Sequence, residues 1–502
     1  MRSTTSTPLL LVPLLFAPLL LTPVTARAAR GRIEDEPRAG SSEAVPADAP
    51  TAHVDEEHAT RQEAKKEERE EREEREEHGR PAEAHGPAEG KDEEEKHRPR
   101  LDLEFGAYGE LQFGYFNYGE NQNRVGGSQK DSRLQFDTTR LVLEMEAGLP
   151  EYGLEAEMEV EFEHAGTGTA MELEYEEFGE FEQEIGRGGE VLLEELYLTK
   201  KLGQHLELSA GRFYVAVGTL FDDYRPTDYL GTIRSEAETR VIPNTWDEMG
   251  LQAKLEVPWG LRLIGQVVNG LDSTGFSSQN WVARGHQTRF ELVKASDLAA
   301  VARADVTRFE GITFGASAYY GGTSRNRPKP DLVQQCDDAN PNVVAPCGYV
   351  SASVLILDAH LSLKRGPFRA HALLLWGHLS NASAVSARNS RLSNLLNVLR
   401  TPVSDNALAA WGELGYDVAP LLGLGEDHRL EPFVRVDYSD TQFNPRSELF
   451  DNPRFERTTY TVGAGYTLAS TAFAKVDFAH RRMGSSDFRP ENTLRLSTGF
   501  VY

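Results

Sequence analysis

The chain has 502 residues, is 39% hydrophobic and 26% charged, and carries a net charge of -26 with a mean hydropathy of -0.48. Past residue 28 no run approaches the roughly 18 apolar residues that a membrane-crossing helix needs, which excludes a bundle of such helices. The acid excess also excludes nucleic acid as an expected partner, because phosphate backbones draw basic surfaces.

Residues 1–28 form a secretory signal. Arg2 supplies the positive start, residues 9–21 (LLLVPLLFAPLLL) the apolar stretch, and Ala26-Arg27-Ala28 a small-residue cleavage site. Pro13 and Pro18 interrupt the apolar stretch, and proline both removes a backbone donor and clashes with the preceding turn, so a retained helical anchor is disfavoured.

Residues 29–100 change character. They hold no Leu, Met, Phe, Trp or Tyr, and Ile33, Val45 and Val54 are the only large aliphatics. Such a segment cannot bury enough apolar surface to offset the entropy of ordering. The run QEAKKEEREEREEREE at 62–77 places Glu68 four residues before Arg72 and Glu71 before Arg75, which supports a solvated single helix. No apolar seam accompanies it, so a coiled coil is not expected. The expectation is a charged periplasmic tether, largely disordered or a single helix. It carries His53, His58, His78, His85 and His97, whose spacing fits no closed metal site. No metal or cofactor is expected.

From Leu101 the apolar period becomes two. Leu103, Phe105, Ala107, Leu111, Phe113 and Tyr115 share one parity. The clearest case is LEAEMEVEFEH, where Leu154, Ala156, Met158, Val160 and Phe162 alternate with Glu155, Glu157, Glu159, Glu161 and Glu163. A strand puts successive side chains on opposite faces, so the glutamates collect on one wall. The same pattern predicts strands over 103–117, 134–149, 153–164, 190–201, 204–216, 248–258, 260–270 and 298–308. It continues over 311–321, 352–365, 367–378, 407–419, 428–439, 458–468, 471–482 and 492–502.

Connections between these strands alternate in length. Short turns at 150–153, 202–204, 258–260, 309–311, 366–367 and 468–470 alternate with long polar segments such as 119–133, 166–189, 218–247 and 321–348. Short periplasmic turns and long outer loops mark a transmembrane β-barrel, and an even strand count leaves both termini on the periplasmic side. The predicted class is therefore all-β: a 16-stranded antiparallel barrel over 101–502, placed in the outer membrane of a Gram-negative-type bacterium. Its low hydropathy follows from alternation of lipid-facing and lumen-facing residues. Cys336 and Cys347, close together in a long loop of an exported chain, are expected to form a disulfide.

Several stretches resemble the phosphate-selective porin O/P family. They are MELEYEEFGEFEQEIGRGGEVLLEELYL at 171–198, GRFYVAVGTLFDDYRPTDYLG at 211–231, VIPNTWDEMG at 241–250, VVNGLD at 267–272 and LEPFVRVDYSDTQ at 430–442. The final strand, ENTLRLSTGFVY, is similar to the C-terminal signal that barrel-assembly machinery receives in many outer-membrane proteins. The resemblance covers 101–502 and implies a lipid-embedded homotrimer that passes small solutes or inorganic ions by diffusion.

The resemblance ties phosphate preference to an arginine ladder and a lysine cluster in the constriction, and the sequence assigns no residues to such a cluster. The barrel region holds about 56 acidic against about 37 basic residues. By parity, pore-lining candidates are Glu155, Glu157, Glu159 and Glu161 with Arg140, Arg303, Lys364, Arg435, Lys475 and Arg495. A wall rich in carboxylates concentrates cations, so an acid-rich channel is expected, with a phosphate or anion channel as the alternative. The long segment 218–247 is a candidate constriction loop through Asp222, Asp223, Arg225, Asp228, Arg234 and Arg240; packing against a neighbouring subunit is its other reading. Scattered histidines and no GxSxG motif argue against an outer-membrane hydrolase, so no enzyme activity is expected. An envelope tether would add to channel function.

Overall fold

In the computed structural model the described residues are 100–120, 130–164, 170–176, 180–187, 191–222, 224–287, 293–328, 331–334, 348–391 and 401–502. The signal, the tether with its histidines, Asp223 and the Cys336–Cys347 pair lie outside them. Alternating segments pair into one closed antiparallel barrel of sixteen strands. The first eight are β1 (Asp102–Glu120), β2 (Lys130–Leu149), β3 (Leu154–Glu163), β4 (Val191–Leu202), β5 (Leu206–Tyr214), β6 (Asp247–Val257), β7 (Leu261–Asn269) and β8 (Leu298–Phe309). The rest are β9 (Ile312–Gly322), β10 (Ser353–Arg365), β11 (Phe368–Leu379), β12 (Asn406–Tyr416), β13 (His428–Asp440), β14 (Glu456–Leu468), β15 (Ala472–Met483) and β16 (Glu491–Val501).

Each strand pairs with its neighbour in sequence, and β1 closes the ring against β16 with Tyr108 opposite Val501 and Asn117 opposite Asn492. Ala107 and Tyr502 exchange two backbone hydrogen bonds, 3.0 and 2.7 Å long, so the terminal tyrosine completes the seam. Closure leaves no unpaired edge, the requirement for strands in hydrocarbon. The short turns need special backbone. At Gly311, φ is 71°, and a Cβ there would stand 2.2 Å from the Lys364 carbonyl oxygen.

Two outcomes differ from the sequence pattern. Strand β12 stops at Tyr416 instead of residue 419, because Pro420 opens a 3-10 turn (Pro420–Leu422) and the Asp417 carboxylate accepts from the Ala419 N–H at 3.0 Å. Two long loops also carry small hairpins of their own, Ala170–Glu176 with Glu180–Arg187 and Val333–Gln334 with Gly348–Tyr349.

The barrel is apolar outside and polar inside. Leu143, Leu198, Leu251, Val434, Val462 and Leu496 are among the many large apolar residues exposed on the outer wall, a band that hydrocarbon covers and water does not favour. Glu159, Glu161, Arg303, Asp305, Arg435 and Asp477 are buried. The apolar core lies at the long-loop end, where Val217, Ile242, Trp246, Leu271, Trp281, Leu332 and Val385 pack together. Arg327 staples this layer: it is 1% exposed and donates to Asp331 at 2.6 Å, to Asn389 at 2.8 Å and to Ser273 at 3.2 Å.

Candidate functional site: the inward loop and its cavities

The segment 218–247 lies within the barrel. It bonds to inward-facing side chains on strands all around the ring, which no loop outside the wall can do. At its start Gly218 donates to Asp358 of β10 at 3.0 Å, and its carbonyl accepts from Arg303 of β8 at 2.6 Å. The Glu238 carboxylate, in the short helix α1 (Glu236–Thr239), accepts from the Thr219 N–H at 2.7 Å and from the Trp411 indole of β12 at 2.9 Å. Burial pushes that carboxyl above its ordinary pKa. Ser235 caps α1 and donates to Asp437 of β13 at 2.6 Å.

The middle of the loop is fastened to the far wall. The Lys475 ammonium of β15 donates to the carbonyls of Pro226, Tyr229 (2.7 Å) and Gly231 (2.9 Å). Thr232 donates twice to Asp477 at 2.7 Å, and the Ile233 carbonyl accepts from Arg435 at 2.9 Å. Arg481 pairs with Glu236, as does Arg495 at 3.1 Å. Burial alone would raise the Glu236 carboxyl, but Arg481 and Arg495 hold it well below the usual carboxylate range. Charge-assisted hydrogen bonds contribute about 1.5–3 kcal/mol each when desolvated, so this many anchors hold the loop in one place.

At the tip, Arg225 pairs with Glu144 of β2 at 2.8 Å. The Tyr224 carbonyl accepts from Arg234 at 2.6 Å and from Arg140 at 3.4 Å. The Tyr224 ring stands 5.5 Å from Tyr214 and 6.5 Å from Tyr108.

Among the described residues, three cavities of about 250 Å3 or more flank the loop. The largest of the three, about 420 Å3, lies toward the short-turn end and is lined by Glu146, Glu155, Glu157, Glu195, Glu207 and Asp222, with Lys254 and Arg262 beside the last two. A second, about 380 Å3, lies toward the long loops between Arg140, Glu161, Glu163, His164 and Arg234. A third, about 250 Å3, is lined by Arg262, Arg303, His360 and Lys364 with Thr307, Thr313 and Ser362.

The glutamates of β3 do not stand as a bare column. Glu155 pairs with Lys201, Glu157 accepts from the Tyr197 hydroxyl, Glu159 from the Tyr108 hydroxyl at 3.0 Å, and Glu161 pairs with Arg140 at 2.5 Å. The basic candidates are engaged as well. Arg303 meets Asp305 at 2.9 Å and Asp222 at 2.6 Å, Arg435 meets Asp437 at 3.1 Å, and Lys364 stands 3.9 Å from Asp228. Arg234 braces the loop internally through Asn244, and Arg240 reaches the Gln279 carbonyl at 3.0 Å.

Sequence parity passed over Glu194 and Glu195. A register shift in the β3–β4 pairing, at Glu159 and Val160, turns both inward, 2% and 7% exposed. Adjacent carboxylates inside an otherwise alternating strand (VLLEELYL) are the signal of such a bulge. Asp358 is likewise not singled out by the sequence, since only the closed ring brings it to its partners; Glu236 and Glu238 belong to the candidate loop, but their partners on β12, β15 and β16 are set by the same closure. Ser317 and His360 both bond to Asp358, His360 at 2.7 Å. The carboxylate thus stands between hydroxyl and imidazole, the reverse of the order in which a base activates a nucleophile.

No family model matches the chain, and neither does any curated protein. Among solved structures it is similar to an anion-selective porin from Comamonas acidovorans, at 9% identity over 80% of this chain and 100% of that one, with a TM-score of 0.46. It is likewise similar to the outer membrane channel DcaP of Acinetobacter baumannii, at 11% identity over 80% and 97% of the two chains, with a TM-score of 0.46. Pseudomonas putida OprB matches at 11% identity over 80% and 94%, with a TM-score of 0.44.

Proposed function

We propose that the chain is an outer-membrane porin that lets small hydrophilic solutes and ions diffuse through a lumen narrowed by 218–247, with preference for cations. The observation that carries this reading is the distribution of charge. The arginines and lysines of the inner wall are spent as braces to carboxylates and loop carbonyls, whereas carboxylates are left over along the largest cavity. Fixed negative charge beside an aqueous path raises the local cation concentration. The constriction role is assigned to the loop because its anchors lie on opposite walls and its tip meets Glu144 between the two larger cavities.

The rest of the reading follows from the sequence. Residues 1–28 direct export, 29–100 form a periplasmic tether, and Cys336 and Cys347 close a loop by a disulfide. The family resemblance adds a homotrimer and delivery of the last strand to barrel-assembly machinery.

An anion-preferring reading draws on one observation, the third cavity, where Lys364 is half-exposed among threonines and Ser362. Planar-bilayer recording under a KCl gradient, with phosphate as competitor, separates the two. A reversal potential of K+ sign with no phosphate block is expected; a chloride-signed potential or block by phosphate overturns the cation reading.

A further inference from the structure

The largest cavity holds carboxylates without counter-charge. Glu195, at the β4 bulge, is 7% exposed and lines the cavity; one oxygen accepts from the Tyr214 N–H at 3.2 Å, and no Lys or Arg among the described residues pairs with it. Glu146, exposed to the same space from β2, also forms no ion pair among the described residues. Glu157, opposite Glu146 across the β2–β3 pairing, has a neutral partner, the Tyr197 hydroxyl. The basic residues that line the cavity are already neutralised: Lys254 stands 3.1 Å from Glu256 and 3.5 Å from Glu207, and Arg262 2.8 Å from both Asp222 and Asp305.

Burial and neighbouring carboxylates favour the neutral acid where no counter-charge stands, so a visiting cation is what would hold such a group charged. Among the described residues, no three His, Cys, Asp or Glu side chains converge as ligands of a metal ion do. The carboxylates are instead spread along a wall that also carries Tyr197, Tyr214 and Tyr224. Aromatic faces attract ammonium groups, and a cavity of about 420 Å3 falls within the range that encloses small organic molecules.

On the basis of the channel reading above, we propose that this cavity is a binding station for small organic ammonium ions on their way through the barrel, with Glu195, Glu157 and Glu146 as the carboxylate wall and the tyrosines as its aromatic side. Such an ion donates N–H bonds to Glu195 and Glu146 while its hydrocarbon part lies along the rings. It enters from the short-turn end and meets the loop tip beyond.

The test uses the full chain in planar bilayers in KCl, with putrescine as the probe. The reversal potential is read first: absence of a conducting channel overturns the channel reading, and absence of K+ preference overturns the cation reading on which the site rests. In a K+-preferring channel, putrescine is expected to interrupt the current in a concentration-dependent way, more strongly from the short-turn side, while glucose does not. Glu195→Gln is expected to weaken this block about tenfold, the loss of one charge-assisted contact. Glu146→Gln, at an exposed position that tolerates the change, is expected to weaken it less. A K+-preferring channel indifferent to putrescine, or block unchanged in both variants, overturns the site and leaves the channel reading standing.

Discussion

The ion pair between Arg225 and Glu144 tests the placement of the loop tip from two sides. Arg225 donates to both Glu144 oxygens, at 2.8 and 3.1 Å, and the side chains are 39% and 18% exposed. Solvent screens a pair this open, so its contribution to docking is about 1 kcal/mol, a factor of about five in the docked population. Arg225→Ala and Glu144→Gln should therefore both raise single-channel conductance. Their effects on selectivity should be opposite. One unit charge about 6 Å from an ion in water is worth roughly 0.7 kcal/mol, about threefold in local ion concentration. Arg225→Ala leaves Glu144 bare and should raise K+ preference, whereas Glu144→Gln leaves Arg225 bare and should lower it. The assay is conductance and reversal potential in the same bilayers. Unchanged conductance in both variants, or reversal potentials that move the same way, would refute the placement.

Lys475→Met should leave the Tyr229 and Gly231 carbonyls without their donor. At about 1–3 kcal/mol per orphaned buried group, the turn comes off the wall, which raised conductance and new protease cleavage within 218–247 would report. Arg327→Met removes a buried pair with Asp331, which keeps Arg388 at 2.8 Å, and takes the donor from Asn389 and Ser273; the expected cost to the loop layer is about 1–3 kcal/mol, and early proteolysis of the long loops with a heat-resistant barrel is the signature. His286 faces Asp247 at 3.1 Å, with Glu248 and Arg212 beside it. Burial alone would lower its pKa, but Asp247 and Glu248 raise it to about 9. A raised folded pKa stabilises fully below the ordinary value near 6.5 and loses that stabilisation as pH rises through about 9. Fluorescence of the nearby tryptophans should therefore change between pH 7 and 10, and the change should vanish in His286→Asn.

The barrel was legible in the sequence because its period is local. Alternation at Leu154–Glu163 and short turns opposite long segments each need only neighbours in sequence, and the structure carries all sixteen strands where that pattern put them. Exceptions to the pattern were less visible. The Glu194–Glu195 bulge needs the partner strand to show which residue is extra, and the loop hairpins sit in segments whose composition reads as polar loop.

What only the tertiary structure decided is which charges meet. Sequence parity collects Glu155 to Glu163 on one wall, yet their partners come from neighbouring strands and from Tyr108 and Tyr197. The fastening of 218–247 joins residues more than two hundred positions apart, such as Thr232 to Asp477 and Glu236 to Arg495. Those distances collapse only when the ring closes, because a closed barrel brings its last strands round to face the loop that its first strands set in place. The residual negative charge of the largest cavity is decided in the same way: it is what remains on the wall once every arginine and lysine within reach has found its partner.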